Sequence, residues 1–278
     1  MAERAFHPSD QLGEFLRTRR ALVQPEDVGL PVYGRRRRVP GLRREEVAQL
    51  AGVSVDYYVR LEQGRSRGVS DGVLDAVARV LRLDGVERAH LVDLARPGRQ
   101  QAPAAAPSVR PGVRLLLDGL AGPAFVLGRC MDVLAWNAPA DALYGLADRP
   151  EHERNMARHA FLDPESRTFY AHWPDVAADT VAYLRLEAAR RPADDRLAAL
   201  VEELSAGSPE FAVLWAEHRV REKTHGRKVL RHPEAGLVDL AYETLALPGD
   251  PDQLLVAFTA PAGSDAARRL AGLSAAAL

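Results

Sequence analysis

The chain has 278 residues, 47% of them hydrophobic, and a formal net charge of −1, which gives material for two cores on a prior of ~150 residues per domain. Its single cysteine, Cys130, excludes an intramolecular disulfide framework and a cysteine-rich zinc site, and fits a reduced, cytoplasmic compartment. No apolar run approaches the ~18–20 residues of a membrane span, and residues 1–10 are too polar for a signal peptide, so a soluble protein with no membrane partner is expected. The near-zero net charge conceals an asymmetry. Residues 1–100 hold 18 arginines, no lysine and 14 acidic residues, whereas the remainder holds 19 basic and 24 acidic residues.

A first helix is expected over 9–20, with Leu12, Phe15 and Leu16 on one face. A long link over 23–42 carries Arg35, Arg36, Arg37 and Arg38. Residues 43–64 then read as two short helices joined by a glycine turn. Val47, Ala48, Ala51, Val53, Tyr58 and Leu61 share one buried face. Gly52 stands where left-handed backbone is needed, and Ser54 can cap the second helix. That leaves Ser54, Val55, Asp56, Tyr57 and Arg60 outward near the helix start, the surface that a helix-turn-helix presents to the DNA major groove. Nine arginines against four acids within 35–67 supply phosphate contacts. Two further helices follow, one capped by Ser70 with Val73, Leu74, Val77 and Leu81 as its stripe, the other over 84–95 burying Val86, Leu91 and Leu94.

The order Glu46-Val47-Ala48, Gly52-Val53-Ser54, Leu61-Glu62-Gln63-Gly64 resembles the helix-turn-helix of the Xre/Cro family of bacterial regulators. Arg43-Arg44 depart from the Ser-Gln or Thr-Gln that often opens the family's second helix. The resemblance implies a domain of about five helices over 1–98 that binds double-stranded operator DNA, commonly as a homodimer. Arg38, Arg43, Arg44, Arg65 and Arg67 are the candidate phosphate contacts. Val55, Asp56, Tyr57 and Arg60 are the candidate base readers: Asp56 accepts from cytosine, Tyr57 packs on a thymine methyl, and Arg60 donates to guanine.

Residues 99–111, rich in Pro, Ala and Gln, lack periodicity and read as a linker. Beyond it, 123–128 and 131–136 read as a β-hairpin. Asn137 with Pro139, Asp163-Pro164 and Ser208-Pro209 open helices, with long helical stretches over 174–191, 194–206 and 209–219. Strand character returns at 228–231, 236–247 and 254–259. The expected domain is α+β: an antiparallel sheet of about five strands with helices on one side.

Ala124-Phe125-Val126-Leu127, Val133-Leu134-Ala135-Trp136-Asn137, Phe161-Leu162-Asp163-Pro164, Ser208-Pro209-Glu210-Phe211 with Trp215, and Arg231-His232-Pro233-Glu234 are similar to the C-terminal domain of MmyB-like regulators. Gly41-Leu42-Arg43-Arg44-Glu45-Glu46-Val47-Ala48 and Asp56-Tyr57-Tyr58 also resemble that subfamily, in which the long arginine-bearing loop is ordinary. The resemblance implies a PAS-like domain over 112–270, followed by a tail over 271–278, with a buried site for a fatty acid or similar small apolar ligand. Phe125, Trp136, Leu184, Phe211, Trp215, Leu240 and Val256 are the candidate pocket wall, and Arg185 and His218 the candidate partners of an anionic head group. The alternative is a dimerisation or docking module without ligand.

Enzyme readings find little support. Gly64-Arg65-Ser66-Arg67-Gly68 has the outline of a hydrolase nucleophile elbow, but a helix precedes it where a strand is needed. His152 and His159 lack metal-ligand spacing, no glycine-rich phosphate loop follows a strand, and neither metal nor other cofactor is expected.

Overall fold

The computed structural model describes residues 8–30, 40–65, 68–96 and 108–276. Contacts divide the chain into two compact units. The first comprises 1–101 together with 185–198 and 214–222; the second holds 102–184, 199–213 and 223–278.

In the first unit, α1 (Pro8–Leu22) buries Leu12, Phe15 and Leu16. A 3-10 turn at Pro25–Val28 lies within the link. The chain re-enters at Gly41 (φ 68°), where an added Cβ would lie 2.2 Å from the Arg20 carbonyl oxygen, so only glycine fits. Helices α2 (Arg44–Ala51) and α3 (Val55–Glu62) meet at Gly52, whose φ of 68° and ψ of 31° close α2 in left-handed geometry. Ser54 Oγ accepts from Tyr57 N at 3.1 Å, capping α3. Helix α4 (Asp71–Val80) follows Ser70, which occupies the cap position without making the side-chain bond expected of it. Helix α5 (Gly85–Ala95) has a reciprocal cap, Asp84 with Glu87. The core joins Phe15, Leu16, Val47, Tyr58, Leu61, Leu74, Val77 and Leu91, the side chains whose spacing marked them, with Leu42 from the end of the link.

In the second unit a short helix, α6 (Pro111–Asp118), occupies the end of the expected linker and runs beyond it. Strands β1 (Ala124–Gly128) and β2 (Val133–Trp136) form the hairpin. Helices α7 (Ala138–Tyr144), α8 (Met156–Phe161) and α9 (Ser166–Phe169) follow, then α10 (Trp173–Arg190), α11 (Asp195–Gly207) and α12 (Pro209–Ala216). Strands β3 (His225–His232), β4 (Gly236–Leu247) and β5 (Asp250–Thr259) complete the sheet, and α13 (Asp265–Ala276) extends through most of the expected tail. All pairings are antiparallel in the order β2-β1-β5-β4-β3. The five-stranded antiparallel α+β architecture is as expected, but helices cover both sheet faces rather than one, because α6 packs on the face opposite to α7–α10.

Alternation assigns the two sheet faces. Val126 and Leu255 pack with Val113 and Leu117 of α6. Phe125 pairs with Val256, and Tyr242 with Phe258, on the opposite face. Asn137 fixes the start of α7: its Oδ1 accepts from Ala140 N and Ala124 N, and its Nδ2 donates to the carbonyls of Leu117, Leu120 and Gly122. A buried amide with every group satisfied holds one geometry firmly.

Candidate DNA-reading face and ligand pocket

The outward side of the second motif helix matches the sequence expectation. Ser54, Val55, Asp56 and Arg60 are exposed, Tyr57 is half-buried, and Arg43 and Arg65 are exposed on flanking segments. Arg38 and Arg67 lie outside the described residues, as does Ser66 of the elbow-like segment, whose Gly64 closely follows helix α3. The surface combines donors, acceptors and one apolar side chain at the end of a helix, which suits base edges in a major groove.

Arg44, a candidate phosphate contact, also has a structural task. Its Nε and Nη2 both reach Glu62 Oε1, at 3.0 and 2.9 Å. Arg20 grips the same carboxylate through Nε at 3.0 Å and Nη2 at 3.1 Å, and its Nη1 donates to the Leu42 carbonyl at 2.7 Å. The Glu62 side chain is fully buried. Burial alone would raise its pKa, but the bonds from Arg20 and Arg44 outweigh that and hold the carboxyl below its ordinary range. One carboxylate therefore ties α1, the re-entry at Leu42, α2 and α3 together, setting the angle at which α3 is presented. In sequence Glu62 stands within the Leu61-Glu62-Gln63-Gly64 phrase of the family resemblance, but no periodicity marks it as buried.

The second unit contains a cavity beneath the Phe125 face of the sheet. The strands contribute Phe125, Tyr242, Val256 and Phe258; Tyr144, Met156 and Tyr170 come from the ends of α7, α8 and α9; and α10 adds Val176 and Thr180, one turn apart. Met131 joins from the hairpin turn, tied to α8 by the Met156 N–H donating to its carbonyl at 2.9 Å. The remaining wall is Lys223, just before β3, and Lys228 on β3. Lys228 Nζ stands 5.4 and 5.6 Å from the ring centroids of Tyr170 and Tyr242, within cation–π range. Gly226 makes this possible, since a Cβ there would meet the Tyr242 hydroxyl at 2.8 Å. The free volume is about 10 Å³, room for about one water.

Burial lowers the pKa of both lysines. Lys223 is pushed down to about 8, with partial relief from Asp179. Lys228 is pushed down to about 7 by burial and then by repulsion from Lys223, against partial relief from Asp179. The Tyr144 hydroxyl is buried and makes no hydrogen bond. His159 Nδ1 lies 3.0 Å from the Tyr170 hydroxyl, and burial pushes that histidine down to about 4, so it is neutral near pH 7.

Of the expected pocket residues, only Phe125 and Val256 line the cavity. Leu184, Phe211 and Leu240 are buried elsewhere in the second unit, Phe211 edge-on to Phe161, and Trp136 stacks under Arg154. Contrary to expectation, Arg185, Trp215 and His218 belong to the first unit and do not line the cavity. Arg185 Nη1 lies 2.9 Å from His218 Nδ1, and its guanidinium covers the Trp215 ring at 4.2 Å. His218 Nε2 reaches Glu14 at 3.3 Å, and Arg19 donates to the His218 carbonyl at 3.0 Å. These groups hold α1, so they are not free to receive a head group. The two lysines that do line the cavity went unnoticed because an isolated lysine reads as surface. Their scarcity, two lysines beside 35 arginines, was the available signal.

Among the described residues no cluster of His, Cys, Asp and Glu could hold a metal, and no helix is long and apolar enough to cross a membrane. No curated protein matches the chain. Residues 11–91 match the family described as a helix-turn-helix domain, and residues 109–273 match the MmyB-like transcription regulator ligand binding domain. These are domains of a transcription regulator, not of an enzyme family. With a DNA-reading helix pair in its first unit and the second match spanning more than half its length, the chain belongs to the MmyB-like family, as a DNA-binding transcription regulator with a ligand-binding domain.

Proposed function

We propose that the chain reads a specific operator through the first half of α3, as a cytoplasmic, Xre-type bacterial regulator, and adjusts that binding to a small fatty-acid-like molecule held in its C-terminal pocket. The observation that carries the ligand reading is the aromatic and thioether wall around the cavity, which both lysines of the chain complete. An acyl chain gains ~0.8 kcal/mol per buried CH₂. Because the free volume is small, the chain enters as Met131 and Met156 change rotamer, a movement that thioether side chains tolerate well. Titrating the protein with fatty acids of increasing length, read by thermal shift and tryptophan fluorescence, tests this. No response at any length removes the ligand reading and leaves the DNA assignment standing.

Specific reading rests on the exposed set Val55, Asp56 and Arg60, with Tyr57 beside it. Arg60→Ala should cost roughly 1–3 kcal/mol against the preferred base and relax preference there, whereas Arg65→Ala should weaken all duplexes about equally. Equal losses from both on every duplex would place the reading surface elsewhere. A homodimer on two-fold sites completes the proposal. The observation favouring an association surface is α6, whose Leu115 and Leu116 are 74% and 53% exposed. Sedimentation of the wild type and of Leu115→Glu tests it, and a monomer at all concentrations rejects it.

A further inference from the structure

We infer that Lys223, Lys228 and the Tyr144 hydroxyl form the seat of a carboxylate head group, and that filling it draws a proton onto the lysine pair, linking ligand binding to proton uptake. This rests on the ligand-sensing reading above and adds what the ligand must carry and how its binding answers pH.

Three independent observations meet at this cavity. The chain meets its need for positive charge with arginine 35 times and with lysine twice, and both lysines line the one pocket. Arginine would bind a carboxylate through two parallel bonds, but its guanidinium stays charged in a protein, whereas an amine can empty and refill. A pocket that must stay closed and apolar when vacant, yet present a cation when occupied, calls for the amine. Second, the Tyr144 hydroxyl is a buried donor without an acceptor, and an unmet donor costs about 1–3 kcal/mol. A carboxylate oxygen would accept from it. Third, the faces of Tyr170 and Tyr242 accommodate the Lys228 ammonium but bring no counter-ion.

The groups facing Lys228 are Lys223, Asp179 of α10, Tyr170, Tyr242 and Tyr144, with His159 behind Tyr170. Burial holds the Tyr144 and Tyr170 hydroxyls neutral and keeps His159 uncharged above about pH 4. Between neutral and mildly alkaline pH the lysines are therefore the groups that titrate in the pocket. With the vacant-site values near 8 and 7, the pair is largely charged at pH 6 and largely neutral at pH 9. A bound carboxylate restores their ordinary basicity, so a proton enters with the ligand on the alkaline side and none enters on the acid side.

The test is calorimetry on the full chain with decanoate and decan-1-ol, in paired buffers of different ionisation heat. Near pH 9 decanoate should take up about one proton or more per molecule bound, and its affinity should fall by about tenfold or more per pH unit there. Near pH 6 the uptake should vanish, and decan-1-ol should show neither uptake nor pH dependence. K228R should keep decanoate binding with reduced uptake, which a folding defect could not mimic. K223M/K228M should bind the alcohol but lose the acid. Absence of uptake by the wild type at pH 9, or unchanged acid affinity in the double variant, overturns the inference. Equal binding of acid and alcohol by the wild type overturns the head-group seat alone. Binding of neither overturns the sensing reading as well.

Discussion

The two units treat buried charge in opposite ways. In the first, Glu62 is fully buried and met by two guanidiniums, and Arg19 is paired with Glu87 at 2.8 Å. In the second, Lys223 and Lys228 share partial relief from Asp179, and Lys228 adds only the faces of Tyr170 and Tyr242. A compensated network costs desolvation but fixes geometry, because removing one partner strands the other. An under-compensated pair fixes nothing and holds free energy that a suitable anion can release. The first arrangement is framework for reading DNA; the second is the pattern expected of a binding site.

Breaking the first network should give the largest effect. Glu62→Ala strands Arg20 and Arg44 and should destabilise the first unit by about 3–5 kcal/mol, less to the extent that the partly exposed Arg44 reaches water. Operator affinity should fall with it; a melting temperature unchanged by the substitution would show the network to be incidental. Replacing the lysines should have the opposite sign. Lys223→Met with Lys228→Met should stabilise the ligand-free protein by roughly 1–4 kcal/mol, as apolar replacements of buried charges often do. A loss of stability would mean that the ammonium groups are well paired.

The same contrast predicts different responses to pH. Burial pushes His90 and His218 of the first unit down to about 3, so there the unfolded chain binds more protons from about pH 6.5 downward, and stability is lost as pH falls. His159 gives the second unit a share of this acid lability. On the alkaline side the units part. The lysines bind fewer protons folded than unfolded above about pH 7, so the second unit should gain stability from there towards pH 9, whereas Arg185, lowered to about 10, gives the first unit a share only at still higher pH. Limited proteolysis across pH, with cleavage sites mapped by mass, resolves the units; parallel profiles would reject the contrast. The smallest effect expected is that of Ser54→Ala, about 1 kcal/mol through loss of the bond to Tyr57 N. No change in the urea midpoint would mean that solvent replaces the cap.

The helix-turn-helix was legible because its information is local: a glycine at left-handed φ, a serine cap and an apolar period within one short stretch. The sheet was legible from alternation in β4 and β5. Helix α8 was not, because its six residues are nearly all buried, which erases periodicity. Helix α6 was missed behind the composition of the preceding linker, and α13 behind small residues that resemble a tail. The pocket was legible only in part. Phe125 and Val256 follow from strand alternation, whereas Tyr144, Met156 and Tyr170 arrive from helix ends whose positions depend on long-range bonds such as those of Asn137 and Asn155. Arg185 and His218 have head-group chemistry, but nothing in their sequence neighbourhood places them beside Glu14 and Arg19.

That last placement changes how the gene can be cut. The DNA-reading unit is discontinuous: residues 185–198 and 214–222 are encoded far downstream of the helices they join. A truncation in the Pro/Ala/Gln-rich stretch would sever Arg19 from the His218 carbonyl and leave His90 without Arg185, Arg190 and His218 around it. A chimaera made by transplanting residues 1–98 onto another sensor would inherit a reading head missing part of its own body. The workable module is the whole chain, and recombination within this family should favour exchanges inside the pocket wall over exchanges at the visible linker.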